Sequence, residues 1–164
     1  MKIAISLLIL TIVSGIAGPR SLADVPRDTP GKPIKHEVHD GYFVSNKFEP
    51  KSPASFVIIQ NRKRFDTVFG VAFVMGDKSN RLKPDAFKSR MVIGAIKRGP
   101  AHSTYKVASV TVQKSTLYLS YEAKSGVPGS ATFACPLIVS VPKGKYAAVV
   151  FVENEKPVKT VALK

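Results

Sequence analysis

The run Met91-Val92-Ile93-Gly94-Ala95-Ile96 constrains this chain more than any other segment, because it is apolar at both parities. Successive side chains of a strand point to opposite faces, so a strand with no polar side belongs in the middle of a sheet covered above and below. The other periodic runs supply its neighbours. Phe56-Val57-Ile58-Ile59 has strand length and composition, and residues 105–112 are rich in β-branched side chains. Leu117, Leu119 and Tyr121 alternate with Tyr118, Ser120 and Glu122, which predicts one face on a core and one in water. Residues 133–141 repeat that alternation, and Pro136 inside them has no N–H to give a ladder, which predicts an edge or a bulge there. Residues 147–152 form another two-sided run after the turn Pro142-Lys143-Gly144-Lys145, and residues 158–163 a weaker last strand.

One segment has the other period. Phe65, Val68, Phe69 and Ala72 recur at i, i+3, i+4 and i+7 behind Asn61, a good N-cap, while Arg62, Lys63, Arg64 and Asp66 fall outside that stripe. The spacing predicts a helix from Asn61 to near Gly76. Six or seven strands and one principal helix make an α+β domain with a mainly antiparallel sheet over residues 55–164.

Upstream, Lys2 and the apolar residues 3–17 are too short for a bilayer span but fit a secretory leader, and Ser21-Leu22-Ala23 offers a small-residue cleavage site. The expected cut lies between Ala23 and Asp24, giving a secreted or periplasmic protein; an uncleaved N-terminal anchor is the alternative. Residues 24–54 hold five prolines and many charges and read as a flexible lead-in, with Tyr42-Phe43-Val44 able to pack as a short strand or arm.

The chain carries 25 Lys+Arg against 11 Asp+Glu. Removing Lys2 and Arg20 with the leader leaves 23 basic residues and a formal charge of +12. Such a charge speaks to partners and solubility, not to fold. It admits acidic proteins or an anionic cell-surface polymer; the basic residues do not interleave with aromatics as a stacking platform for nucleic acid would require. A lone cysteine, Cys135, closes no internal disulfide, and its parity with Phe133, Leu137 and Val139 predicts a buried small hydrophobe, a thiol nucleophile being the lesser reading.

Catalytic patterns are sparse. His36 and His39 are three apart in a Pro-rich stretch, whereas a metalloprotease helix needs i+4 with the glutamate between; they read as a solvated tail or an adventitious metal contact. His102 and Ser103 are neighbours whose side chains diverge on an extended chain. Residues 126–129 carry no phosphate-loop lysine and read as a hairpin connection. A pair of acidic residues for glycosidase work is scarce among Asp66, Asp77, Asp85, Glu122, Glu153 and Glu155. No metal, cofactor or catalytic residue is assigned, and a secreted hydrolase stays as a minor alternative.

The order of elements, together with Gly99-Pro100-Ala101-His102-Ser103-Thr104-Tyr105-Lys106-Val107, Leu117-Tyr118-Leu119-Ser120-Tyr121 and Cys135-Pro136-Leu137-Ile138-Val139 leading into Val141-Pro142-Lys143, resembles the C-terminal domain of the PrcB family. That family tends to carry glycine where this chain has Thr104. The resemblance spans residues 56–152 and implies a non-enzymatic accessory role, stabilising a secreted protease complex. It runs through residues 97–105, read here as a loop anchored between two strands, where Arg98, His102 and Tyr105 are side chains of the types that anchor interfaces.

Overall fold

The two-sided run lies in β6 (Arg90–Gly99), between β9 (Phe133–Pro142) and β4 (Ala54–Ile59), with β2 (Glu37–His39) completing a four-stranded central sheet in the order β2-β9-β6-β4. The chain is described here by a computed structural model covering residues 31–72 and 80–163. The expected leader, its cleavage site at Ala23 and Asp24, and the neighbourhood of Gly76 lie outside the described residues. An outer sheet runs β1 (Lys32–Pro33), β7 (Ser103–Gln113), β8 (Thr116–Ser125), β10 (Ala148–Glu153), β11 (Lys156–Ala162). A third layer consists of α1 (Arg62–Val68) and a ribbon of β3 (Tyr42–Val44) with β5 (Phe69–Val71).

Parity explains the layering. Met91, Ile93 and Ala95 face the outer sheet and pack with Leu137, Val139 and Val141 of β9 against Leu117, Leu119, Tyr121, Val149 and Phe151. Val92 and Ile96 face the other way, with Val57, Ile59 and Ile138, onto Phe65, Val68, Phe69, Val44 and Leu82. The middle sheet is therefore covered on both faces, as its sequence requires. A fully buried ring such as Phe65, wedged edge-on against Tyr42 with centroids 5.1 Å apart, contributes about 1.5–3 kcal/mol through burial alone.

Among the described residues the domain is mostly β with a single α-helix, consistent with the α+β class, but its details depart from the sequence reading in four ways. First, α1 is shorter than the stripe predicts. Asn61 caps it by accepting from the Arg64 amide at 2.9 Å, yet Phe69 already has extended φ −123° and ψ 136°. From Phe69 the chain pairs with β3 instead, and the Phe43 ring presses on Gly70 where no Cβ would fit. The apolar stripe still serves one core: Phe65 and Val68 enter it from the helix and Phe69 from the strand.

Second, the strands divide into separate sheets, mainly antiparallel as expected but with one parallel pair. β10 lies parallel to β8, while β10 and β11 form a hairpin through Asn154 (φ 49°) and Glu155 (φ 66°), the double left-handed geometry of a tight turn. Third, the described residues upstream of β4 are paired: β1 to β7, β2 to β9 and β3 to β5. Strands of two or three residues demand few N–H donors, so prolines do not prevent them, and Pro33 sits on an edge where its missing N–H costs no ladder bond. Fourth, residues 126–129 do not close a hairpin. They carry the chain from β8 in the outer sheet to β9 in the central one, and the amides of Gly126 and Gly129 donate to the carbonyls of His102 and Pro100 at 2.8 and 2.9 Å.

Candidate functional site

Pro136 leads to the site. It pairs with Ile96 on one side, but β2 ends with His39 opposite Ile138, so β9 is an edge over residues 133–137. The direction of its free groups follows from one hydrogen bond. The Arg98 amide donates to Pro53 O at 2.8 Å, so even-numbered amides of β6 point to β4 and odd-numbered ones to β9. With Arg98 opposite Ala134, even-numbered residues of β9 turn away from β6. The N–H and C=O of Ala134 and the C=O of Pro136 are thus directed outward, where no strand among the described residues pairs with them, although β3 lies close beside β9.

Two hollows of about 440 and 520 Å³ flank this edge and meet at Phe43, Phe133 and Ala134. Phe43 is 52% exposed and Val38 47% exposed, both large apolar side chains beside the edge. A trough with an unpaired strand as its floor and apolar rims can accept an extended peptide, main chain to main chain.

The three residues singled out by sequence all border this region, in different roles. The connection between β6 and β7 is only residues 100–102, because both strands run further than expected. His102 is exposed on it, its ring edge-on to Phe133 at 5.7 Å, and lines the larger hollow. Tyr105 lines the same hollow from β7, half-buried, donating its hydroxyl to Cys135 O at 3.0 Å; burial, with the nearby Cys135 and Glu153, pushes its phenol far above the ordinary range. Arg98 lines the smaller hollow, but its guanidinium is already used. It donates to Phe48 O at 2.9 Å, Ser52 O at 3.2 Å and Ser55 Oγ at 2.7 Å, fastening residues 48–55 to the end of β6.

Other chemistry-bearing groups are occupied with the fold. Cys135 is 6% exposed and accepts the Ser103 amide at 3.2 Å, the buried role that its parity predicts. Glu153 receives Lys97 Nζ at 3.3 Å and the Tyr121 hydroxyl at 3.2 Å. His39, far from being a solvated tail, is 7% exposed, with Nε2 2.8 Å from Ser140 Oγ. That distance suits a base and nucleophile. The Ser140 hydroxyl, however, is fully buried and also receives Arg90 Nε at 2.9 Å, so no substrate carbonyl can approach it. Among the described residues no group of three His, Cys, Asp or Glu side chains is placed to hold a metal ion.

Sequence reasoning expected an edge or a bulge at Pro136 but missed the exposed Phe43 and Val38 beside it and the pairing of His39 with Ser140 across 101 positions. Nothing local could announce the last. No helix among the described residues is long and apolar enough to cross a membrane. The chain matches no protein-family model, no curated protein and no solved structure.

Proposed function

We propose that this chain is an exported, non-enzymatic accessory domain that binds another extracytoplasmic protein by receiving an extended segment of it on the open edge of β9. The observation that supports it most directly is the outward-facing Ala134 and Pro136 backbone between the exposed side chains of Phe43, Val38 and His102. Ladder hydrogen bonds supply affinity in such a contact and alternate side-chain pockets supply specificity. The PrcB resemblance gives the partner class, a subunit of a secreted protease complex. No chemistry is needed: a binder present at 100 times its dissociation constant stabilises a folded partner over its unfolded form by about 2.7 kcal/mol.

The test is affinity capture by the mature protein from its native envelope or medium, comparing wild type with Ala134→Pro. Proline at 134 removes the outward N–H while leaving the odd-numbered amides that pair with β6, and Pro136 shows that this parity tolerates it. Loss of capture at tenfold or more with the fold retained supports edge binding. Wild-type capture by the variant overturns it, and if that capture also collapses with salt, the basic surface is binding an anionic polymer. Export itself is tested by N-terminal sequencing of the mature protein, which should begin at Asp24; a membrane-bound form retaining Met1 would refute it.

A further inference from the structure

A buried polar cluster under β2 plays no part in the contact proposed above. His39 Nδ1 lies 2.9 Å from the Asn80 carbonyl, which can only accept, so Nδ1 carries the ring hydrogen. Nε2 then accepts from Ser140 Oγ at 2.8 Å, while that oxygen accepts from Arg90 Nε at 2.9 Å. Arg90 Nη2 also donates to Ser140 O at 2.7 Å, and Nη1 approaches Glu37 Oε1 at 3.4 Å. Both ring nitrogens are therefore satisfied in one protonation state, the neutral ring with hydrogen on Nδ1. A proton arriving at Nε2 would meet a hydroxyl already bonded to a guanidinium. The hydroxyl hydrogen it displaces would be stranded, because Ser140 is fully buried.

The remaining charges nearby do not neutralise that conflict. Glu37, on the same strand, has its side chain half in water and faces Arg90; Asp40 is exposed and accepts from Asn80 Nδ2 at 3.0 Å. Arg81 turns its Nη2 to Ala72 O at 2.7 Å, and His36 sits 3.1 Å from Ile34 O. Burial, the largest influence, lowers the His39 pKa below its ordinary value; the Asn80 carbonyl, Glu37 and Asp40 pull it back up, and Arg90 pushes it further down. The strand has little else to hold it, since Glu37 and Val38 are exposed and only three residues pair with β9.

We infer that β2 is an acid-released strap: protonation of His39 detaches Glu37–His39 from β9 and extends the open edge from residues 133–137 to residues 133–140. The use of this release, as regulation of partner access, rests on the reading of the β9 edge given above, but the release is a property of the isolated chain. Its direction follows from linkage. Closed His39 has a lowered pKa and released His39 the ordinary value of 6.5, so the closed form is fully favoured above that value. As pH falls below it, the equilibrium shifts toward release by at most about tenfold per pH unit, until the closed-state pKa is passed.

The experiment is amide hydrogen exchange of the mature protein from about pH 7.5 to about pH 5, corrected for the intrinsic exchange rate, with the His39 ring followed by NMR. Ile138 and Ser140, which face His39 and Glu37, should lose protection by up to about tenfold per pH unit once His39 begins to titrate. Val139, which faces β6, should not. His39→Gln should abolish the pH dependence; if that variant does not fold, coincidence of the wild-type ring titration with the loss of protection is the deciding observation. Unchanged protection while His39 titrates, the same loss in the glutamine variant, or a ring still neutral at the acid end would each overturn the strap. Failure of the Ala134→Pro test bears on the partner contact alone, so the two readings fail separately.

Discussion

Replacing Arg98 by alanine should destabilise the domain far more than replacing His102, although both flank the same trough. Arg98 ends three donor contacts, to Phe48 O, Ser52 O and Ser55 Oγ, and Ser55 is only 3% exposed. Hydrogen bonds to a charged group are worth about 1.5–3 kcal/mol each, but partly solvated acceptors recover some of that from water, so the combined loss should be about 2–3 kcal/mol. His102 is exposed, and its ring makes one edge contact with Phe133. Exposed substitutions of that kind stay within about 0.5 kcal/mol. Urea denaturation followed by circular dichroism measures both, with Arg98→Lys as the intermediate case, because a single ammonium cannot serve three separated acceptors along a planar fork. An Arg98→Ala loss of under about 0.5 kcal/mol would refute the reasoning and return Arg98 to the status of an available surface anchor. If the larger loss is found, diminished capture by an Arg98 variant reflects a loosened trough wall, and His102→Ala is the cleaner test of direct contact.

Two further substitutions probe the layers. Gly94→Ala places a Cβ 3.0 Å from Leu137 O and 3.2 Å from Val57 Cγ2 in the middle of the central sheet, and should cost about 1–3 kcal/mol by thermal or urea melting; a neutral result would mean that β4 and β9 can spread. Cys135→Ala should cost about 1 kcal/mol and leave capture intact, and a thiol reagent should label native wild type slowly; rapid labelling would place the thiol outside the core.

The layered plan was legible because strand parity is a short-range code. Alternation in Leu117, Leu119 and Tyr121 marked the inner face of β8, and the absence of alternation in residues 91–96 marked a strand covered twice. What stayed hidden depends on pairings far along the chain. The stripe Phe65, Val68, Phe69 fits a helix as well as a helix followed by a strand, and only the approach of Phe43 to Gly70 decides between them. The role of Arg98 was hidden for the same reason, since its acceptors lie 43 to 50 positions earlier. His39 read as part of a polar tail because its partner Ser140 comes from β9, 101 positions later, and its second partner, Asn80, 41 positions later. Of the trough, His102, Tyr105 and the break at Pro136 could be found in the sequence. The exposed ring of Phe43 could not, because Tyr42 and Val44 beside it are equally apolar.

The path of the chain through the two large sheets governs how it can be assembled. β7 and β8 belong to the outer sheet, β9 to the central one, and β10 returns to the outer sheet to lie parallel with β8. Neither sheet is a contiguous stretch of sequence, so neither has a complete set of strands until the other is nearly in place. A nascent chain ending before β10 holds β8 with one neighbour missing, and without Val149 and Phe151 the cover over Leu137, Val139 and Val141 is incomplete. Folding should then be topologically slow, on the order of milliseconds to seconds, and a fragment cut between β9 and β10 keeps every strand of the central sheet but leaves the outer sheet without β10 and β11.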